Sequence, residues 1–200
     1  RYIAMLGSAT ASSREWDELT AIMTVGESYF FRDGSLFAAL RDQVLPELLQ
    51  EQQGRLRVWS AGCSEGQELY SVAMLLHDMG AESARQELVG TDVNPAAVEA
   101  ARRARYDTWS FRGVEPDLVT RHFAARDSHF ELLPALRQGV TFHRHDLVNG
   151  SYPNPAAKLA AFDMILCRNV LIYFDPEAIE AVTGRLIECL RPGGYLVLGN

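Results

Sequence analysis

Hydrophobic residues follow two different periods along this 200-residue chain, and the point where one gives way to the other marks its organisation. Leu36, Phe37, Leu40, Val44, Leu45, Leu48 and Leu49 recur at helical spacing, which predicts an amphipathic helix over residues 35–52. Ser35 is its expected N-cap, and Pro46 is expected to kink or restart it. Residues 14–23 predict a shorter helix behind a loose Ala/Ser stretch. From Leu56 onward short apolar runs take over. Residues 56–60, 87–91, 162–167 and 195–199 predict strands, and residues 68–79, 95–105 and 175–190 predict helices. Strands that alternate with helices give an α/β fold, a mainly parallel sheet with helices on both faces. Between Tyr106 and Asp146 the pattern loses its regularity. Residues 119–123, 129–133 and 140–143 are short strand candidates there. The last is assigned to the main sheet and the others to a small antiparallel β insert. The chain then divides into a short N-terminal helical segment and linker, residues 1–52, and a main domain, residues 53–200, with its insert at about 106–139.

Composition narrows the classes. With 48% apolar and 22% charged residues, the chain reads as a soluble globular domain and neither as a disordered segment nor as a coiled coil. No apolar run reaches the length of a membrane span, so no membrane insertion is expected. Residues 1–13 lack the apolar core of a signal peptide, and the start at Arg1 suggests a trimmed end. The net charge of −7 argues against non-specific nucleic-acid binding, which needs an excess of Lys and Arg. Lys158 is the one lysine, so nearly all positive charge is carried by Arg, which grips carboxylates bidentately. Cys63, Cys167 and Cys189 form no Cys-x-x-Cys pair, which points to a reducing, cytoplasmic setting and away from a zinc ribbon. A monomer is expected.

Four segments carry candidate chemistry. Val58-Trp59-Ser60-Ala61-Gly62-Cys63-Ser64-Glu65-Gly66-Gln67-Glu68 is a strand, a turn with two glycines and a helix start. It reads either as a ligand turn at a strand's carboxyl end or as a plain tight turn. Gly90-Thr91-Asp92-Val93-Asn94 puts a carboxylate at the end of the next strand, where α/β folds hold ribose hydroxyls. Asp92 could equally cap the helix that begins at Pro95. The run through Cys167, Arg168, Asn169 and Tyr173 empties a strand into polar groups over the same crevice. Cys167 reads as a buried core thiol. The fourth segment, Thr24-Val25-Gly26-Glu27-Ser28-Tyr29-Phe30-Phe31-Arg32-Asp33, sets three aromatics beside Arg32 and Asp33 and is unlike a helix face; alone it reads equally as a buried linker with Arg32 in a salt bridge. His143 and His145 read as surface residues, since no third ligand sits near enough for a metal site.

Together these segments resemble the chemotaxis receptor methyltransferases of the CheR type, which are S-adenosylmethionine-dependent protein-glutamate O-methyltransferases. Trp59-Ser60-Ala61-Gly62-Cys63-Ser64, Tyr70-Ser71, and Cys167-Arg168-Asn169 followed by Ile172-Tyr173-Phe174 are the specific part, and the likeness runs over residues 20–200. The resemblance implies a Rossmann-like methyltransferase sheet with S-adenosylmethionine as cofactor and S-adenosylhomocysteine as product. It implies cofactor contacts from Ser28, Arg32, Gly62, Glu68, Asp92, Asp146, Leu147, Arg168 and Asn169. Arg32, Arg168 and Tyr173 are the candidates for orienting the substrate or the methyl transfer. The implied partner is the cytoplasmic domain of a chemotaxis-type receptor, in some members tethered through the β insert. The sequence departs from the family at Gly26, where many members have Asn, at Gln67 for a common Glu, and at Asp146 for Asn in some. Before residue 30 the only basic residues are Arg1 and Arg14, although the family docks acidic receptor helices partly through a basic face there. The family also continues past Asn200 with a hairpin that completes a seven-stranded sheet, so the C-terminal strands are expected to be missing from this chain. The readings left open beside it are a regulatory or scaffold domain that binds the cofactor without catalysis, and a small-molecule methyltransferase.

Overall fold

The computed structural model describes residues 14–24, 26–53 and 55–199. The stretch before residue 14, read as loose, lies outside them. Helix α1 (Arg14–Met23) is followed by α2 (Gly34–Ala39), a π-helical turn (Leu40–Val44) and α3 (Leu45–Glu51). The helix is thus interrupted by the π turn and restarts at Leu45 with Pro46 in its first turn, as expected. Proline has no N–H to continue the ladder, and the preceding turn widens so that the Leu45 N–H donates to the Leu40 carbonyl. The N-cap is Asp33 rather than Ser35. The Asp33 carboxylate accepts from the Leu36 N–H, and the Ser35 hydroxyl donates to the same oxygen.

Strand β1 (Leu56–Ala61), helix α4 (Gln67–Asp78), strand β2 (Gln86–Asp92) and helix α5 (Pro95–Arg103) follow the predicted alternation. Next come β3 (Arg105–Tyr106), α6 (Pro116–His122), β4 (Phe123–Ala125) and β5 (Phe130–Leu132). The chain returns through β6 (Val140–Arg144), β7 (Phe162–Cys167), α7 (Pro176–Glu188) and β8 (Leu190–Leu198). Two expectations fail here. Residues 119–122 are helical, because Pro116 occupies a first-turn position and starts a helix whose apolar pair Leu118–Val119 faces the core. Strand β8 begins at Leu190, five residues early, with an irregularity in register around Pro192-Gly193-Gly194.

The five main strands are parallel and lie in the order β6-β2-β1-β7-β8. The order reverses at β1, between β2 and β7. A crevice therefore opens above the carboxyl ends of those strands, the place where such folds bind ligands. Alternate residues feed two cores. Val58, Leu88, Phe142, Met164 and Leu166 face one side with α3 and α4, and Trp59, Val89, Phe162 and Ile165 face the other with α7. β3, β5 and β4 pair antiparallel in a separate small sheet, as the irregular stretch predicts.

Candidate active site

The glycine turn that leaves β1 is fixed from below. The N–H groups of Gly62 and Cys63 both donate to the Thr91 carbonyl, at 2.8 and 2.9 Å. Gly62 has φ +82°, and a Cβ there would lie 2.3 Å from Val170 Cγ2. Only glycine satisfies both the backbone and the neighbour. Asp92, at the end of β2, accepts from the Ser64 N–H at 2.8 Å and from the Asn94 N–H at 2.9 Å. It is not the helix cap. Asn94 caps α5 through Ala96 and Ala97, and its amide donates to Thr24 Oγ1 at 2.9 Å. Burial raises the Asp92 carboxyl above its ordinary value, against the lowering effect of the Asn94, Ser64 and Val93 N–H groups.

Gly62, Ser64 and Asp92 sit where two lobes of one cleft meet. The larger lobe, about 470 Å³, is mostly apolar. Met23 and Thr24 wall it on one side, Val93 and Ala97 on another, and residues 145–149 and Val170, Tyr173 and Phe174 complete it. Asp146 and Leu147 are thus brought to this lobe as expected, but the Asp146 carboxylate is turned onto its own loop. It accepts from the N–H groups of Val148 and Asn149 and from the Asn149 side chain. Burial raises this carboxyl, but those hydrogen bonds outweigh burial and hold it below its ordinary range.

The smaller lobe, about 70 Å³, is polar. Ser28, Arg32, Glu68, Arg168 and Asn169 line it together. Glu68 is largely buried, with 15% of its side chain exposed; it accepts from the Ser60 hydroxyl at 2.8 Å and from Arg168 Nη1 at 3.3 Å. Burial raises its carboxyl, opposed by Ser60 and by the charges of Arg168 and Arg32. Arg168, with 9% of its surface exposed, also donates to the Arg32 carbonyl at 3.0 Å and reaches Asp33 at 3.4 Å. Its guanidinium ties the 32–33 segment to the end of β7. Tyr173 stands apart from Arg32 and Arg168. It lies on a 3-10 turn at the rim of the larger lobe and is 59% exposed.

The aromatic run is explained by packing. Phe30 is buried among Tyr106, Phe111 and Phe123 of the insert, and its N–H donates to the Ser110 carbonyl. The Phe31 N–H donates to Ser71 Oγ on α4. The main chain is left-handed at Phe31, Asp33, Ser64 and Asn169, all beside the smaller lobe. Such strain is concentrated where a site over-determines the backbone. Cys63 and Cys167 are not poised as nucleophiles: burial pushes the Cys63 thiol well up and the Cys167 thiol up to about 12.

Thr24 and Val170 lie in segments the sequence marks, though it gives neither a role, and His145 is a lining residue it misses. His145 is not a surface residue. It lines the larger lobe with its ring 5.1 Å from that of Tyr152 and 6.2 Å from that of Trp59. Its signal was the period-two offset from His143, but the loop that covers it comes from residues 147–152. Among the described residues no group of three or more His, Cys, Asp or Glu is placed to hold a metal ion.

Known proteins resemble this chain over most of its length. The family model described as CheR methyltransferase, SAM binding domain matches residues 26–200. Chemotaxis protein methyltransferase 1 of Pseudomonas aeruginosa is 40% identical over 185 residues, covering 88% of this chain and 66% of that protein. The chemotaxis protein methyltransferase of Listeria monocytogenes is 36% identical over 184 residues, covering 92% of this chain and 68% of that protein. An uncharacterized 104.1 kDa protein of Rhodobacter capsulatus is 33% identical over 96% of this chain, which is 20% of that protein. The chain therefore spans about two thirds of the length of the named methyltransferases.

Proposed function

The chain belongs to the CheR methyltransferase family, with S-adenosylmethionine as its cofactor, and from that premise we propose that it transfers the cofactor's methyl group to glutamate side-chain carboxylates of a chemotaxis-type receptor, giving methyl esters. The observation that carries this reading is the two-lobed cleft joined at Gly62 and Asp92. Its donor chemistry fits the cofactor. The apolar lobe suits a purine, with Leu147 and Asp146 beside it. The Asp92 carboxylate, with two oxygens each already bonded on one side, suits ribose hydroxyls. In the polar lobe Glu68 suits an ammonium group, and Arg32 suits a carboxylate. Ser28 and Asn169 supply further polar contacts there.

Bound S-adenosylmethionine supplies an electrophilic methyl group on a sulfonium. The protein's own part is then orientation and exclusion of water. A glutamate side chain has a reference pKa near 4.3, so it meets the site already ionised and needs no general base. This agrees with the smaller lobe, which no described histidine lines. Holding two reactants in line can supply roughly 7–11 kcal/mol of the barrier. Arg32 and Arg168 close one side of the transfer point, and Tyr173 stands at the outer rim, where an incoming side chain would pass. The acceptor is the receptor's cytoplasmic domain, so the reaction belongs in the cytoplasm.

The test is incubation of the chain with tritium-labelled cofactor and a receptor's cytoplasmic signalling domain. Label on the receptor should be released by mild alkali as methanol, the behaviour of a methyl ester. Label that survives alkali, or that appears on small molecules in place of the receptor, would refute the assignment.

A further inference from the structure

Arg112 lines neither lobe of the cleft, yet it is built into the wall of the smaller one from behind. It belongs to the insert, directly after the 3-10 turn Thr108–Phe111. Its side chain is 23% exposed. Its guanidinium carbon lies 3.8 Å from the centre of the Tyr29 ring and 4.7 Å from that of Trp109. Nη2 donates to Glu27 Oε1 at 2.9 Å, and Nη1 donates to the Trp109 carbonyl at 3.1 Å.

Glu27 and Tyr29 both face the smaller lobe, and both bear on Arg32. The Glu27 carbonyl accepts from Arg32 Nη1 at 2.8 Å, and the Arg32 guanidinium carbon lies 5.7 Å from the Tyr29 ring centre. Arg112 thus grips the side chain of the residue whose carbonyl aims Arg32, and it covers the ring beside which Arg32 lies. It also neutralises the Glu27 carboxylate. Left unpaired, that charge would stand on the wall of a lobe that receives another carboxylate. A planar guanidinium can stack and form directed hydrogen bonds at once, which an ammonium cannot.

We propose that Arg112 is a positioning residue that, through Glu27 and Tyr29, fixes Arg32 for the carboxylate end of the cofactor. The proposal rests on the cofactor reading above. It assigns the insert a part in shaping the cleft in addition to any partner it binds.

The test is calorimetric titration of the full chain with two ligands, S-adenosylhomocysteine and methylthioadenosine, the second of which lacks the amino-acid end. For Arg112→Gln, S-adenosylhomocysteine should bind about fivefold more weakly, the size expected of a half-exposed charge pair with ring stacking. Methylthioadenosine should bind as it does to the parent. Arg112→Lys should fall between the two. The double variant Glu27→Gln/Arg112→Gln should weaken no further than Arg112→Gln, because both changes remove one contact. Equal loss for both ligands would mean that Arg112 merely supports the fold, and unchanged affinity for S-adenosylhomocysteine would mean that it does nothing for Arg32; either result overturns the proposal. A parent chain that binds neither ligand would overturn the cofactor reading and this inference with it.

Discussion

The Asp146 carboxylate shows how a side chain beside a ligand cleft can be occupied by the protein itself. Its oxygens take the N–H groups of Val148 and Asn149 and the Asn149 amide, and so shape the wall of the larger lobe. Those hydrogen bonds favour the ionised form and lower its pKa below the ordinary 3.8, against burial. A carboxyl whose folded pKa is depressed stabilises the fold at pH above its unfolded value, and that stabilisation is lost as pH falls through the folded value. Asp146→Asn keeps the acceptor for the two backbone groups and removes the titration. Thermal melting from neutral pH downward should therefore show the parent's advantage over this variant intact above about pH 4 and fading below it. A constant offset between the two across that range would contradict the assignment. At this scale the sequence is a partial guide. It marks Asp92 and Arg168 by type and place, because charged residues at strand ends are conspicuous, whereas Glu68 and Asp146 are marked only by the family resemblance. It does not say which way each side chain turns, since Asp146 is bonded by a loop of its own and Arg168 by the carbonyl of Arg32, 136 positions earlier.

Among the elements, the turn after β1 is the most constrained. Gly62 combines left-handed backbone with close approach to Val170, which stands after the end of β7 and lines the larger lobe. Gly62→Ala should destabilise the chain by about 1–3 kcal/mol in urea denaturation, from overpacking and from strained φ together. Adding Val170→Ala removes the clash and leaves the φ strain, so it should restore only part of that loss. Full restoration, or no loss to begin with, would show that the turn is not held as described. β7 was legible because the short apolar run at residues 164–167, ended by the polar pair Arg168-Asn169, is too short for a buried helix and suits a buried strand. Residues 119–123 were not, because their two apolar residues, Val119 and Phe123, stand four apart, a spacing that fits a period of two as well as one of 3.6. The true signal was Pro116 at the helix start. Ser35 and Asp33 are both good capping types. The choice fell to Asp33 because its left-handed backbone, φ 73°, turns the carboxylate toward the Leu36 N–H.

Across the whole molecule, the cleft is assembled from parts far apart in the chain. β1 and β2 supply the floor, the segment after β7 supplies one wall, and the end of α1 with residues 26–32 crosses the top. Asp17 on α1 pairs with Arg144 at the end of β6 at 2.6 Å, and Thr24 bonds Asn94, so the amino-terminal segment is fastened to the sheet from above. The insert is joined through Phe30, which is buried among its aromatic rings. The alternation of strands and helices foretold the sheet and the place of the crevice, but not that residues before the first strand roof it. That closure depends on long-range contacts, which no local pattern records. The central claim is that one ligand, an adenosine with an amino-acid tail, spans both lobes across Asp92. Calorimetric titration of the chain with S-adenosylhomocysteine, repeated on Asp92→Ala, tests it most directly. The account predicts one-to-one binding by the parent, weakened by a factor of about ten or more in the variant, as expected when charge-assisted hydrogen bonds of roughly 1.5–3 kcal/mol are lost. Binding that survives the loss of Asp92 undiminished, or no binding by the parent, would contradict it.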